Sequence, residues 1–255
     1  MQYAVVFIFG LVMGSFLNVC VYRIPLAKSI ARPRSFCPKC EHTIAWFDNI
    51  PVVSFLLLRA KCRYCRCKIS ARYFFIELIT ALAAILLFHY FSFTPAFFVY
   101  CLLTCVLIVV TFIDLERQEI PDVFSLPGIF VGIALVTVFK FGGCGTYLSS
   151  FVNSISGVLA GGASMFLLGF FGELIFKKEA LGGGDVKLMA MIGAFIGWKL
   201  VILTFFLAPV LGSGVGIFMK FKMGRDIIPY GPYLAIAAIV SLLYGDKILD
   251  RLFLF

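Results

Sequence analysis

The chain has 255 residues, 62% of them hydrophobic and 14% charged, with a net charge of +9 and a mean hydropathy of +1.05. Soluble domains carry about a quarter charged residues, so this composition excludes an ordinary soluble domain and points to an integral membrane protein. A nucleic-acid-binding patch is the rival reading of the basic excess, but membrane orientation already explains where the Lys and Arg residues stand, and no nucleic-acid partner is expected.

The N-terminus, MQYAVVFIFGLVMGSFLNVC, is apolar from its third residue. It lacks the basic n-region and small-residue cleavage site of a signal peptide, and is expected to persist as a first helix. A spanning helix needs about 20 apolar residues. On that measure eight spans are expected, at 3–22, 72–92, 95–113, 122–140, 151–176, 185–198, 200–219 and 230–247. The sixth is short. Pro95, Pro121 and Pro229 suit helix starts, and the glycine-rich FKFGGCGTYLSS from Phe139 reads as a turn.

The basic residues orient these spans. Arg23, Lys28, Arg32, Arg34, Lys39, Arg59, Lys61, Arg63, Arg66, Lys68 and Arg72 crowd the first loop. With that loop inside, only Lys140, Lys199, Lys247 and Arg251 of the 22 Lys and Arg residues fall outside. Positive loops stay cytoplasmic, so both termini are expected outside. The fold class is therefore an all-α polytopic membrane protein of about eight transmembrane helices, with a cytoplasmic loop over 23–71.

That loop holds Cys37-x-x-Cys40 and Cys62-x-x-Cys65, followed by Cys67. Paired C-x-x-C motifs bring four thiolates to one tetrahedral metal, the pattern of a closed structural zinc site. Disulfides are the alternative and fit a reducing cytosol badly. His42 is read as a surface or hydrogen-bonding residue, and Cys20, Cys101, Cys105 and Cys144 as inert apolar residues.

Carboxylates are scarce, 13 in all. Asp114 ends the third span and Asp185 begins the sixth, so both are expected at one depth on the inner side. Ionisable groups there suggest function. Two carboxylates a few ångströms apart cannot both ionise easily. One then holds a proton while the other takes one from a water that attacks a peptide carbonyl, which is aspartyl protease chemistry. Helix capping is the alternative reading for Asp122 and Asp185. A plain cap, however, does not need Gly182-Gly183-Gly184 before it, whereas close approach of a bound peptide backbone does. The GxxxxGK[ST] spacing of a phosphate loop is absent.

Several stretches together resemble a known family. GSFLNVCVYRIP (14–25), WFDNIPVVSFLLLRAKCRYC with the paired C-x-x-C motifs, ISARYFFIELITAL (69–82), DLERQEIPD (114–122), EALGGGDVKL (179–188) and IPYGPYLA (228–235) run in order over nearly the whole chain. They resemble the type IV prepilin leader peptidases, bifunctional bacterial membrane enzymes of type IV pilus and type II secretion systems, and the wider GxGD class of intramembrane aspartyl proteases. The resemblance implies that Asp114 and Asp185 are catalytic. It implies cleavage of prepilins or pseudopilins after a glycine on the cytoplasmic side of the inner membrane. It also implies N-methylation of the new N-terminus with S-adenosylmethionine as donor. On this reading residues 1–92 are methylation-associated, with Glu77 a candidate residue, and 93–255 form the peptidase domain. Cys37, Cys40, Cys62 and Cys65 match the family cysteines. Gly182 and Gly184 would approach substrate, and Glu116 and Glu119 would attract its basic leader. The substrate helix would enter sideways from the lipid and pack through small residues. A leader peptidase without methyl transfer, an ion-coupled transporter and a zinc-containing scaffold are the alternatives; a transporter calls for internal repeats, and none is visible in the sequence.

Overall fold

The computed structural model describes the chain apart from residues 142–144, 178–181, 224–228 and 254–255, and apart from the side chains at 176, 215–223 and 253. Cys144, Lys178, Glu179, Arg225 and Asp226, and the side chains of Lys220 and Lys222, lie outside this description. Eight helices follow one another among the described residues: α1 (Gln2–Arg23), α2 (Val53–Leu57), α3 (Ala71–Phe91), α4 (Pro95–Arg117), α5 (Asp122–Val138), α6 (Tyr147–Phe176), α7 (Gly183–Met223) and α8 (Gly231–Phe253). Six are long and apolar enough to cross a membrane, all but α2 and the 17-residue α5. The chain is a multi-pass membrane protein. It forms two compact units, Met1–Val109 and Val110–Phe255, with the boundary inside α4.

In the first unit α1 packs on α3 through a G-x-x-x-G face. A Cβ on Gly10 would stand 2.6 Å from the Cα of Ala81, and one on Gly14 would stand 2.6 Å from the Cα of Glu77. In lipid, where apolar tails compete equally for apolar side chains, such close backbone approach is a main source of helix association. The start of α3 is capped by Ser70, whose hydroxyl accepts from the Arg72 N–H.

In the second unit α7 packs on both α5 and α6, and its path turns close to where the sequence separates two spans. Spans 185–198 and 200–219 are two arms of one element, separated at Gly197 (φ 79°, ψ 174°). A Cβ on Gly161 would lie 2.5 Å from the Met189 carbonyl oxygen and 3.0 Å from Val201 Cγ2. Twelve residues of straight helix would separate those two positions by about 18 Å, so the chain reverses at Gly197. That φ lies in the region glycine enters without steric cost. The arms close on α6 where Gly157 and Gly193 meet backbone to backbone and where the Ser154 hydroxyl donates to the Ala194 carbonyl at 2.6 Å.

Candidate active site and metal centre

Asp114 sits one turn from the C-terminal end of α4, where α4 stops at Arg117 and Gln118 turns left-handed (φ 57°) with its N–H on the Asp114 carbonyl. A carboxylate there faces the negative end of its own helix dipole. A second helix compensates. The N–H of Gly231, first residue of α8, donates to Asp114 Oδ2 at 2.8 Å. This is one of the otherwise orphaned N–H groups of a helix start, and it carries the positive end of that dipole. Asp114 is buried, with 5% of its surface exposed. Gly231 has no room for a side chain, since a Cβ would stand 2.8 Å from the same Oδ2.

Asp185 lies in the first turn of α7, a favourable place for a carboxylate. Its N–H bonds the Gly182 carbonyl at 3.1 Å. It is half-buried and within electrostatic reach of Asp114. Gly182 and Gly183 are exposed, and Gly183 has open space where a side chain would stand. Gly184 instead takes up the Ile120 side chain, 2.9 Å from where its Cβ would be. Asp122 is no cap: Pro121 precedes the helix, and both Asp122 carboxylate oxygens accept from Lys187 Nζ at 2.7 Å, an exposed ion pair joining the starts of α5 and α7. Glu116 and Glu119 are exposed.

The sequence reading missed two residues here, Gly231 and Tyr230. Tyr230 precedes α8 and lies within electrostatic reach of Asp185. Its hydroxyl is buried with no partner among the described residues. The available signal was the PYGP stretch at a helix start, whose prolines flank a residue that must lack a side chain.

The cysteine loop is built twice over. In each arm the first Cys N–H bonds a carbonyl five residues on (Cys37 to His42, Cys62 to Cys67), and the residue four on returns its N–H to that Cys (Glu41, Arg66). Each arm also has a bridge around the pair, Phe36–Thr43 and Lys61–Lys68, and a left-handed residue at the same place, Glu41 and Arg66. His42 and Cys67 therefore occupy matching positions. The His42 ring lies tilted against Tyr64 at 3.6 Å between centroids, while Cys67 Sγ lies 3.6 Å from Cys37 Sγ.

The four expected ligands converge. Their sulfur atoms all lie within 4.8 Å of one another, with Cys37–Cys65 at 3.8 Å and Cys40–Cys62 at 4.0 Å. A tetrahedral ion with sulfur ligands at about 2.3 Å requires sulfur–sulfur edges of about 3.8 Å, so this set can hold a metal ion. Burial pushes the Cys37 thiol up, but N–H groups of Cys40 and Lys39 and the thiols of Cys67 and Cys40 outweigh it and bring it down to about 6. The Cys40 thiol is pulled down by the His42 N–H, but burial and the thiols of Cys65, Cys37 and Cys62 carry it up to about 11. Crowded thiols thus hold their protons unevenly, and a cation is what would release all four. Asp48 and Arg63 clamp the loop by a bidentate pair at 2.6 and 2.7 Å.

Glu77 is buried on α3. Its Oε2 accepts from the Val52 N–H at 2.7 Å, and the Ser15 side chain bonds it too. Val52 is a β-branched residue held at φ 61°, so Glu77 pins a strained turn of the loop to its own helix. Arg23, also buried, donates to the carbonyls of Ser29 and Pro33 at 3.0 and 2.7 Å.

Helical spans, two carboxylates sheltered at helix ends and a four-thiol loop define a multi-pass membrane protein with a metal-type cysteine cluster. Comparison with known proteins narrows this. The bacterial peptidase A24 N-terminal domain matches residues 8–91, and the type IV leader peptidase family matches residues 101–217. A protein of Aeromonas salmonicida is 34% identical over 278 aligned positions, covering 97% of this chain and 92% of its own length. One of Pseudomonas aeruginosa is 36% identical over 265, covering 94% and 89%. One of Myxococcus xanthus is 40% identical over 219, with 86% of this chain aligned but only 63% of the relative's length. All three are named prepilin leader peptidase/N-methyltransferase. The chain belongs to the type IV leader peptidase family. No solved structure matches it.

Proposed function

We propose that this protein is a membrane-embedded aspartyl endopeptidase that removes the leader of prepilins or pseudopilins and methylates the new N-terminus. The observation that carries the peptidase half is the pair Asp114 and Asp185, each at a helix end and within reach of the other's charge. One carboxylate takes a proton from a water, whose oxygen bonds the scissile carbonyl carbon. The other, protonated, gives its proton to the leaving amine as the C–N bond breaks. The leader departs with a new carboxyl group and the pilin keeps a new amine.

The remaining assignments belong to the same proposal. The site faces the cytoplasm of the inner membrane, both termini lie outside, and substrate enters from surrounding lipid. This follows from the concentration of Lys and Arg in the first loop. Cleavage follows a glycine, with Gly182 and Gly184 near the substrate backbone and Glu116 and Glu119 drawing the basic leader. Residues 93–255 form the peptidase domain and 1–92 the methylation-associated region. Cys37, Cys40, Cys62 and Cys65 hold zinc, a closed site that shapes the loop and leaves no position for water. S-adenosylmethionine is the methyl donor, by the name the relatives carry. Glu77 acts there by holding the Val52 turn.

Co-expression with a prepilin, followed by size and N-terminal mass, tests both halves. Loss of processing in Asp114→Asn and Asp185→Asn is expected, and a methyl increment on the wild-type product. Processing by either Asn variant would remove the dyad. Cleavage without the increment would leave a peptidase alone.

A further inference from the structure

Tyr230 stands out among the buried polar groups. Among the described residues, the other hydroxyls without partners, on Ser125, Thr137, Ser150 and Ser241, are on short side chains within helices. A small rotation lets such a hydroxyl bond a carbonyl of the preceding turn. A phenol is too long and rigid for that escape. Its hydroxyl is buried at the head of α8 with no partner among the described residues, and a buried donor without an acceptor is unfavourable. The next residue, Gly231, spends its N–H on Asp114 at 2.8 Å, and Tyr230 itself is within electrostatic reach of Asp185. A single turn of chain therefore serves one carboxylate by backbone and presents a spare donor beside the other.

We propose that Tyr230 is a third member of this site, its hydroxyl donating a hydrogen bond to the scissile carbonyl oxygen as that carbon becomes tetrahedral. This rests on the peptidase reading above. As water oxygen bonds the carbon, the carbonyl π pair moves onto its oxygen. That oxygen carries the new negative charge until the C–N bond breaks and the pair returns. The phenol keeps its proton throughout, since its ordinary pKa is about 10. A donor fixed where charge develops strengthens in the transition state more than in the bound substrate. Asp114 and Asp185 are committed to moving protons, and the Gly231 N–H is committed to Asp114, so the developing oxyanion needs a separate partner.

The test uses full-length protein in lipid nanodiscs and a prepilin peptide spanning the leader junction. Tyr230→Phe is expected to lower kcat by about 10²–10³, the cost of one lost oxyanion donor, with KM changed little. Replacing Tyr230 with 4-aminophenylalanine, which keeps a donor at the same place, should recover at least a tenfold part of the loss. Replacing it with 3,5-difluorotyrosine keeps the shape but acidifies the phenol, and should move the alkaline limb of kcat to lower pH. Wild-type kcat in Tyr230→Phe overturns the proposal. So does a loss that the amino analogue fails to recover together with an unmoved alkaline limb. Asp114→Asn and Asp185→Asn run beside these. Activity in either would overturn the dyad itself, whereas inactive Asp variants beside a fully active Tyr230→Phe would overturn only the role of Tyr230.

Discussion

The cysteine loop and the carboxylate site solve opposite problems with the same tool, the placing of backbone N–H groups. In the loop, N–H groups two or three residues further on point at the thiols of Cys37 and Cys40, and a repeated local backbone pattern does the positioning: the Cys37 N–H to the His42 carbonyl is copied by Cys62 to Cys67. At the carboxylate site the donor to Asp114 comes from Gly231, 117 positions away. A local pattern is robust and needs only its own residues. A long-range one needs two helix ends, α4 finishing and α8 beginning, to arrive together. The loop should therefore answer to ligands and metal, and the carboxylate site to volume and packing.

Single substitutions can break this contrast. The largest effect is expected from Asp114→Asn or Asp185→Asn, which should cut leader removal by at least about 10³-fold while metal content, read by elemental analysis of purified protein, stays unchanged. Next, Cys37→Ser or Cys62→Ser should abolish tight metal binding and loosen the loop to protease, since such a site loses closure with one ligand gone. Equal metal content in these variants would remove the metal assignment. If peptidase activity survives and methylation does not, the two regions are separable in function as well as in pattern.

Gly231→Ala is expected to be intermediate. The new Cβ would press on Asp114 Oδ2 from 2.8 Å. A displaced carboxylate should lower kcat by about 10- to 100-fold, since misplacement of about 1 Å can cost that much. Thermal unfolding monitored by circular dichroism should barely move. Gly14→Ala reverses that profile: its Cβ would meet the Glu77 Cα at 2.6 Å. It should destabilise the first unit by about 1–3 kcal/mol through overpacking, and a normal melting temperature would show that α1 and α3 yield easily.

The smallest effect concerns Asp48. The Arg63 guanidinium holds its carboxyl below the ordinary value, against a small opposing push from burial. A depressed folded-state pKa contributes stability above the unfolded carboxylate's pKa of about 3.9 and loses it as pH falls through the lower folded value. Asp48→Asn should therefore flatten the acid limb of loop stability, with little change at neutral pH because Arg63 is half exposed. Melting curves from pH 3 to 7 would reveal it; an unchanged acid limb would mean the pair is screened out.

Some of this was legible in the residues. Paired C-x-x-C spacing carries its geometry with it, so four converging thiols could be read directly. Asp114 and Asp185 were conspicuous because carboxylates are rare in so apolar a chain. Gly231 and Tyr230 were not, because the carboxylates they face lie 117 and 45 positions away, and the flanking prolines mark a helix start without pointing to either. The reversal at Gly197 hid for a related reason. One glycine inside a continuous apolar run looks like any other until its φ is known, and the sequence reading nonetheless broke the run at Lys199, two residues later. Asp122 misled: a carboxylate after proline fits a helix start, and only the through-space pairing with Lys187 reveals its use.

The reversal at Gly197 also sets a length. From Gly183 to Ile196 the first arm of α7 rises only about 21 Å, and the 17 residues of α5 rise about 26 Å. The hydrocarbon layer is about 30 Å thick. If each of these two elements crosses the bilayer, hydrophobic mismatch follows: the bilayer thins around them or their polar ends sink beneath its surface. The polar end of the short arm is the one that carries Asp185. Water has less hydrocarbon to cross there, and a peptide bond at the edge of a membrane-embedded helix has less distance to travel. On the two-carboxylate reading, leader removal in nanodiscs should then vary with the acyl-chain length of the lipid.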